Sequence, residues 1–352
     1  MPRILVVRLS SIGDIVHALP AVAALGQSFP EAEITWAIES RFAALLDGNP
    51  FVQRVVSLDT LGWRRRPTSA GTLREARGGL SELRHPRADV AVDFQGLVKS
   101  AALARLSGAT RRVGFGGRWL RERLAGVLYT ERVEAADRRH VIEENLALVE
   151  RLGTRRVPRA EWQFPLPRSE AAELRVEERL AALGTPKFVV INPGAGWTSK
   201  RWPPERYAEL VRELAQDEDL SVVLTGSGDE EAMIRGILAR AQSPRAAYFP
   251  STLIDYIALV RRANLVVGGD TGPVHLAGAV GTPIVALYGP TDPARNGPFA
   301  PADVALRKRE SAGRGHAHWR SGQAKRAVYM DDLKLEDVRS AIQKRLAAAD
   351  GA

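Results

Sequence analysis

The chain has 352 residues, 45% of them hydrophobic and none of them cysteine, which is enough for two cores and excludes disulfides, thiolate catalysis and cysteine metal sites. Its net charge of +9 is uneven, since residues 1–160 hold 25 Lys and Arg against 17 Asp and Glu while residues 161–352 hold 25 against 24. A basic first half fits nucleic acid, an anionic membrane surface or a phosphorylated substrate, or simply a soluble basic surface; with aromatics at 6% and no nucleic-acid motif, no nucleic-acid partner is expected.

No apolar run approaches the roughly 18 residues of a membrane span. Ile4-Leu5-Val6-Val7 is too short for a signal-peptide core, so a cytoplasmic location is expected. In chain order, a strand over Ile4–Leu9 leads through Ser10-Ser11-Ile12-Gly13-Asp14 into an apolar helix from Ile15 to Leu25. Strands follow at Glu33–Ile38, Asp89–Phe94 and Arg112–Phe115, with helices through Leu97–Leu106 and His140–Leu152. Trp63-Arg64-Arg65-Arg66-Pro67 reads as an exposed loop between β-like Val55-Val56 and a helical stretch near Leu73.

Residues 154–168 carry Pro158, Pro165 and Pro167 without periodicity and read as a linker. Strands then recur at Phe188–Ile191, Leu220–Leu224, Leu265–Val267 and Ile284–Leu287. The intervening helices fall at Glu205–Leu214, Asp229–Ala239, Leu253–Val260 and Val274–Val280. Residues 311–326 read as a basic loop and Leu335–Leu346 as a closing helix. Strands alternating with helices imply parallel sheets covered on both faces. The expected organisation is a Rossmann-like domain over 1–160, a second over 169–330 and a C-terminal helix over 333–352, with a cleft between the two domains. In such sheets ligands bind at the carboxyl ends of strands.

Four strand ends carry chemistry. After the first strand, Gly13 permits a tight turn and Asp14 opens a helix, where it serves either as a catalytic carboxylate or as an ordinary cap. Asn192–Pro203 is Gly-rich and ends on Ser199-Lys200-Arg201, so backbone N–H groups and the Lys200 ammonium can meet a phosphate, although no Walker pattern is present. Gly268-Gly269-Asp270-Thr271-Gly272-Pro273-Val274-His275 brings a carboxylate, a hydroxyl, free N–H groups and an imidazole to a helix N-terminus suited to a diphosphate, with Asp270 placed to accept from sugar hydroxyls. Gly226-Ser227-Gly228-Asp229-Glu230 lacks the third glycine of a dinucleotide fingerprint; Glu230 is either a ribose contact or a helix-start acid. Asp217-Glu218-Asp219 reads as surface, and no metal site is expected.

These motifs resemble those of glycosyltransferase family nine, the ADP-heptose:lipopolysaccharide heptosyltransferases. The resemblance rests on Ser10–Pro20, Asp93-Phe94-Gln95-Gly96-Leu97-Val98-Lys99-Ser100, Lys200–Pro203, Asp270–His275 and Tyr288–Pro293, in order and spacing. It implies an α/β GT-B fold of two Rossmann-like doubly wound domains facing a central cleft. It also implies an inverting, metal-independent transfer of heptose from ADP-heptose to the Kdo-lipid A inner core, with no cofactor. On this resemblance Asp14 matches the general base and Lys200 a catalytic phosphate contact. Ser199, Lys200, Glu230, Asp270, Thr271, Gly272 and His275 fall on the donor side. Ser10, Ser11, Gly13, Gln95 and Lys99 fall on the acceptor side, and Arg64, Arg65 and Arg66 suit the acceptor's phosphates and carboxylates because a guanidinium fork binds such oxyanions bidentately. Peripheral contact with the cytoplasmic face of the inner membrane would accompany a lipid-linked acceptor. Ala195-Gly196 stands where some relatives place two hydroxyl residues, so donor contacts there would run through backbone, and segment 311–326 matches no motif of the family. A non-catalytic nucleotide- or sugar-binding module on the same fold, a nucleic-acid binder, or a family member with another acceptor or donor are the competing readings.

Overall fold

Near-continuous apolar runs such as Ile4–Val7 and Phe188–Ile191 suit strands buried on both faces. In the computed structural model they form the centres of two parallel sheets. The structure describes residues 2–135, 138, 140–184, 186–307 and 328–350, so the 311–326 segment lies outside the described residues. By its internal contacts the chain divides into two units, Met1–Pro167 and Arg168–Ala352.

The first unit contains β1 (Arg3–Val7), β2 (Glu33–Glu39), β3 (Arg54–Leu58), β4 (Val90–Asp93), β5 (Arg111–Phe115) and β6 (Glu131–Val133). Their order is β3-β2-β1-β4-β5-β6, and Val7 pairs with Ala37 on one side and Asp93 on the other. Helices α1 (Ile12–Ser28), α2 (Thr60–Arg65), α3 (Ala70–Arg84), α4 (Val98–Leu106) and α5 (Val141–Glu150) connect or cover the strands. Leu5, Val7, Leu9, Ala37, Val56, Leu58 and Leu103 lie together in its core.

The second unit opens with α6 (Glu170–Ala181) and contains β7 (Lys187–Asn192), β8 (Leu220–Leu224), β9 (Ala246–Tyr248), β10 (Leu265–Gly269), β11 (Ile284–Tyr288) and β12 (Val304–Arg307). The order is β12-β11-β10-β7-β8-β9, which repeats the first sheet's pattern. The helices are α7 (Pro204–Leu214), α8 (Glu231–Ala241), α9 (Leu253–Arg262), α10 (Gly272–Ala279), α11 (Pro293–Asn296), α12 (Val328–Asp331) and α13 (Leu335–Asp350). Val338, Ala341 and Ile342 of α13 enter the same core as Val189, Ile191 and Leu224, so this helix is an integral layer of the second unit. No helix among the described residues is long and apolar enough to cross a membrane.

Candidate active site

In each sheet the strand order reverses at the central pair, β1 with β4 and β7 with β10. Loops leaving such a pair diverge to opposite faces and open a crevice at the strands' carboxyl ends. Four of the loops that carry polar motifs leave from these ends, 8–14 after β1, 93–99 after β4, 192–200 after β7 and 270–275 after β10, while Gly226–Glu230 follows β8. Each unit therefore holds its own cluster of candidate residues.

In the first unit, Asp14 is the third residue of α1. Gly13, expected in a tight turn, is already in that helix, because the helix begins at Ile12. Asp14 Oδ2 accepts from the Ser11 N–H and from Ser11 Oγ, each at 3.2 Å, so the capping role is filled. Capping does not account for the other oxygen. Asp14 Oδ1 is paired with Arg8, which is 2% exposed, and with Arg121 Nη2 at 3.1 Å. Burial opposes a charge on Asp14, but the two guanidinium groups outweigh it and hold the carboxyl well below the usual carboxylate range. Asp14 is thus ionised at any physiological pH.

The loop after β4 is locked beside it. Buried Asp93 accepts from the N–H of Gln95 at 2.8 Å, Ser100 Oγ at 2.7 Å and Tyr129 Oη at 2.6 Å, although burial alone pushes its pKa up. Arg8 also donates to the Phe94 carbonyl. Gln95, expected among the acceptor contacts, is 3% exposed and its Oε1 accepts from the Leu9 N–H at 3.0 Å. It ties the β1 and β4 loops together instead of facing solvent. Ser10 is half-buried and Ser11 exposed.

Lys99 is exposed, with its ammonium 3.3 Å from Thr60 Oγ1 and 3.7 Å from Glu39 Oε1. Thr60 opens α2, so residues expected as a loop are helical up to Arg65, with Arg66 as the C-cap. Asp59 caps that helix by accepting from the Gly62 N–H at 2.8 Å, and the arginines suit the negative end of its dipole. Arg64, Arg65 and Arg66 are all exposed. Lys99 thus contacts the first residue of the helix whose far end carries the arginines.

In the second unit, Arg201 donates to the Ala195 carbonyl at 2.9 and 2.7 Å and closes the Gly-rich loop. Ser199 and Lys200, both half-buried, end it in a single 3₁₀ turn. Gly269 is required where this turn crosses the end of β10, since a Cβ there would lie 2.8 Å from the Lys200 carbonyl oxygen. The crossing sets the Lys200 ammonium 2.7 Å from Asp270 Oδ2 and 3.1 Å from the Asp270 carbonyl oxygen.

Asp270 is buried and its other oxygen, Oδ1, meets His275 Nε2 at 3.1 Å and Asn296 Nδ2 at 2.6 Å. Burial opposes its charge, but His275 and Lys200 prevail and draw its pKa well below the usual range. Asp270, expected to accept from sugar hydroxyls, already has both carboxylate oxygens engaged by protein donors. In this structure it is the anchor that fixes Lys200. Thr271 is the N-cap of α10 and its Oγ1 donates to the Gly269 carbonyl at 3.2 Å, while Gly272 is the first helical residue. Glu230 lies across the Gly-rich loop: a Cβ on Gly194 would fall 1.9 Å from Glu230 Oε1. Its other oxygen accepts from the Ser227 N–H at 2.9 Å, so the capping role is present here too.

Arg8, Arg121 and Asn296 were not foreseen from sequence. Arg8 carried a signal, a charged residue ending an apolar strand. Arg121 and Asn296 carried none, since each reaches its partner only through the fold. Among the described residues no group of three or more His, Asp or Glu is placed to hold a metal ion.

Comparison with known proteins places these two clusters in context. Residues 80–318 match the profile of Glycosyltransferase family 9 (heptosyltransferase). The chain is 30% identical over 306 residues to Lipopolysaccharide heptosyltransferase 1 of Pseudomonas aeruginosa, covering 86% of this chain and 83% of the relative. It is 29% identical over 312 residues to the protein of the same name from Escherichia coli K12, covering 87% and 93%. Among solved structures, E. coli heptosyltransferase WaaC with ADP-2-deoxy-2-fluoro heptose superposes with a TM-score of 0.76 at 26% identity, covering 97% of this chain and 99% of that one.

Proposed function

We infer, because the chain belongs to glycosyltransferase family 9 (heptosyltransferase), that it transfers heptose from ADP-heptose to Kdo on lipid A in building the lipopolysaccharide inner core. The GT-B fold and the similarity to a structure holding an ADP-heptose analogue support the donor. The observation that carries the reading is the matched placement of two charged centres. An ionised carboxylate stands at the switch point of the first sheet, and a lysine fixed by a buried aspartate stands at the same point of the second.

A sugar hydroxyl is a poor nucleophile at neutral pH. In this reading Asp14 takes its proton as the oxygen bonds to the anomeric carbon and the bond from that carbon to the ADP phosphate breaks. A single displacement inverts the anomeric configuration. The departing diphosphate gains charge, which Lys200 and the N-terminus of α10 at Thr271 and Gly272 stabilise. His275 acts on Asp270, and Asp270 on Lys200. Glu230 and Ser199 flank the donor loop. Arg121, partly exposed beside Asp14, is placed to attract an anionic acceptor. A guanidinium drawn toward that acceptor would leave Asp14 a stronger base, closer to the strength that proton transfer requires.

This electrostatic arrangement does the work a divalent ion would do, so the reaction is expected to run unchanged in EDTA. Loss of activity in chelator, restored by magnesium or manganese, would contradict the lysine-and-dipole mechanism.

Lys99 and Arg64–Arg66 form the outer acceptor contact, and a lipid-linked acceptor implies peripheral contact with the cytoplasmic face of the inner membrane. Replacing Arg64, Arg65 and Arg66 together by serine should raise the acceptor KM, leave ADP affinity unchanged and flatten the salt dependence of activity. A triple variant with normal acceptor kinetics across a salt series would remove these arginines from that role.

Release of ADP from ADP-heptose, with and without a Kdo-bearing acceptor, tests the function. Acceptor-dependent ADP release is the expected result. ADP binding without turnover would indicate a binding module, and turnover only with another acceptor or nucleotide sugar would indicate a different family member.

A further inference from the structure

Leu124 and Val127 are 73% and 80% exposed, the most exposed large apolar side chains among the described residues. They are not strays on a loose loop. Both lie in the 3₁₀ turn Arg123–Leu128, where residues three apart stand on the same side. Between them Ala125 is buried, packed with Ala101 of α4 and with Tyr129, whose hydroxyl donates to buried Asp93 at 2.6 Å. Glu122, at the start of this turn, accepts from the Val98 N–H of α4 at 2.7 Å. The turn is therefore fixed from beneath, and the fixing presents Leu124 and Val127 outward.

Cations lie close in sequence to this apolar pair. Arg123 adjoins Leu124, and Arg118 lies over the Trp119 ring at 4.4 Å from its centroid. Arg118 and Arg123 are exposed and Trp119 is half-buried. Arg121, three residues before Leu124, reaches the Asp14 carboxylate at 3.1 Å, so the same segment also supplies a partner of Asp14.

We propose that Arg118, Trp119, Arg123, Leu124 and Val127 form a docking surface for an anionic phospholipid bilayer, which seats the first unit, with Asp14, at the surface carrying the acceptor. The charge complementarity selects the partner. Arginines attract the anionic headgroups, a tryptophan suits the headgroup level, and two outward apolar side chains enter the boundary of the acyl region. The inference rests on the proposed function only in supplying a reason for the seat to adjoin Asp14; binding to lipid itself is read without donor or turnover.

The test is flotation with vesicles of phosphatidylethanolamine and phosphatidylglycerol, compared with phosphatidylcholine alone. Wild type should bind the anionic vesicles and lose binding as salt rises. The double variant Leu124→Ser/Val127→Ser should bind at least about tenfold more weakly, as expected for removing two inserted apolar groups. Leu174→Ser, at a 55% exposed leucine of the second unit, should bind as wild type. The double variant should keep wild-type ADP affinity, melting temperature and transfer to a deacylated, soluble acceptor, but lose transfer to acceptor embedded in vesicles.

Vesicle binding by the double variant equal to wild type would overturn the proposal, as would absence of binding by wild type. An equal loss of activity on the soluble acceptor would assign these residues to the chemistry instead, and a change of oligomeric state would assign the surface to a second copy of the chain. Vesicle binding through this surface in a protein that transfers no heptose would uphold the docking inference and refute the proposed function alone.

Discussion

Asp14→Asn is expected to cut turnover by about two to four orders of magnitude, the range for losing a general base, while ADP binds as in wild type. Asparagine is the informative replacement. It keeps the size of the side chain and one acceptor oxygen for a guanidinium, but it cannot take a proton. Asp14→Ala would confuse the result, because it strands buried Arg8 without its carboxylate, and breaking a buried pair costs about 3–5 kcal/mol. The melting temperature and ADP affinity of the asparagine variant separate the two effects. Turnover within threefold of wild type would remove Asp14 from the base role. The pH dependence follows from the direction of its shift: Asp14 has a depressed folded-state pKa, so its contribution to stability is present above the ordinary carboxylate range and is lost as pH falls through the depressed value. Arg121→Gln removes one of the two charges holding it down, and the acid limb of activity should then move to higher pH.

Lys200→Ala should weaken ADP binding by about tenfold to a hundredfold, the scale of a hydrogen bond to a charged group, and lower turnover further, because the charge it meets grows as ADP departs. Its geometry adds a second expectation. Asp270 holds the ammonium at 2.7 Å, so Asp270→Asn should reproduce part of the Lys200→Ala defect without removing any group proposed to touch the donor phosphates. Arginine at 200 should not rescue, since its larger planar head does not fit a point charge fixed between a carbonyl and a carboxylate. Calorimetric titration of ADP into each variant decides this. Unchanged affinity and rate in Lys200→Ala would leave the Lys200–Asp270 pair a purely structural contact.

The central strands were legible because burial on both faces writes a continuous apolar run, as in Phe188–Ile191 and Ile284–Leu287. The edge strands were harder. β6 reads Glu131-Arg132-Val133 and β9 reads Ala246-Ala247-Tyr248, and neither is fully buried. A half-covered edge needs no apolar run, and its parallel pairing partner is distant in sequence. Helix α6 was missed within a charged stretch, where only Ala172 and Val176 are buried.

The site divides in the same way. Asp14, Lys200 and Asp270 stand out because they sit in Gly-containing strand-to-helix loops, a local pattern. That Lys200 and Asp270 pair across 70 residues is set by the β7–β10 register, in which Asn192 lies beside Gly268. Arg121 reaches Asp14 across 107 residues, and no local pattern announces it. Gln95 illustrates the reverse case: a polar residue in a motif block, read as a ligand contact, is spent internally on the Leu9 N–H. The fold thus turns expected ligand contacts such as Gln95 and Asp270 into supports for a smaller number of partly buried charges.

The most direct test of the account is mass spectrometry of Kdo-lipid A after incubation with ADP-heptose and either wild type or Asp14→Asn, with the ADP formed measured in parallel. Wild type should add one heptosyl unit for each ADP released, and the variant should bind ADP normally yet form product at least about a hundredfold more slowly. Release of ADP without a heptosylated acceptor, or equal product from both proteins, would contradict it.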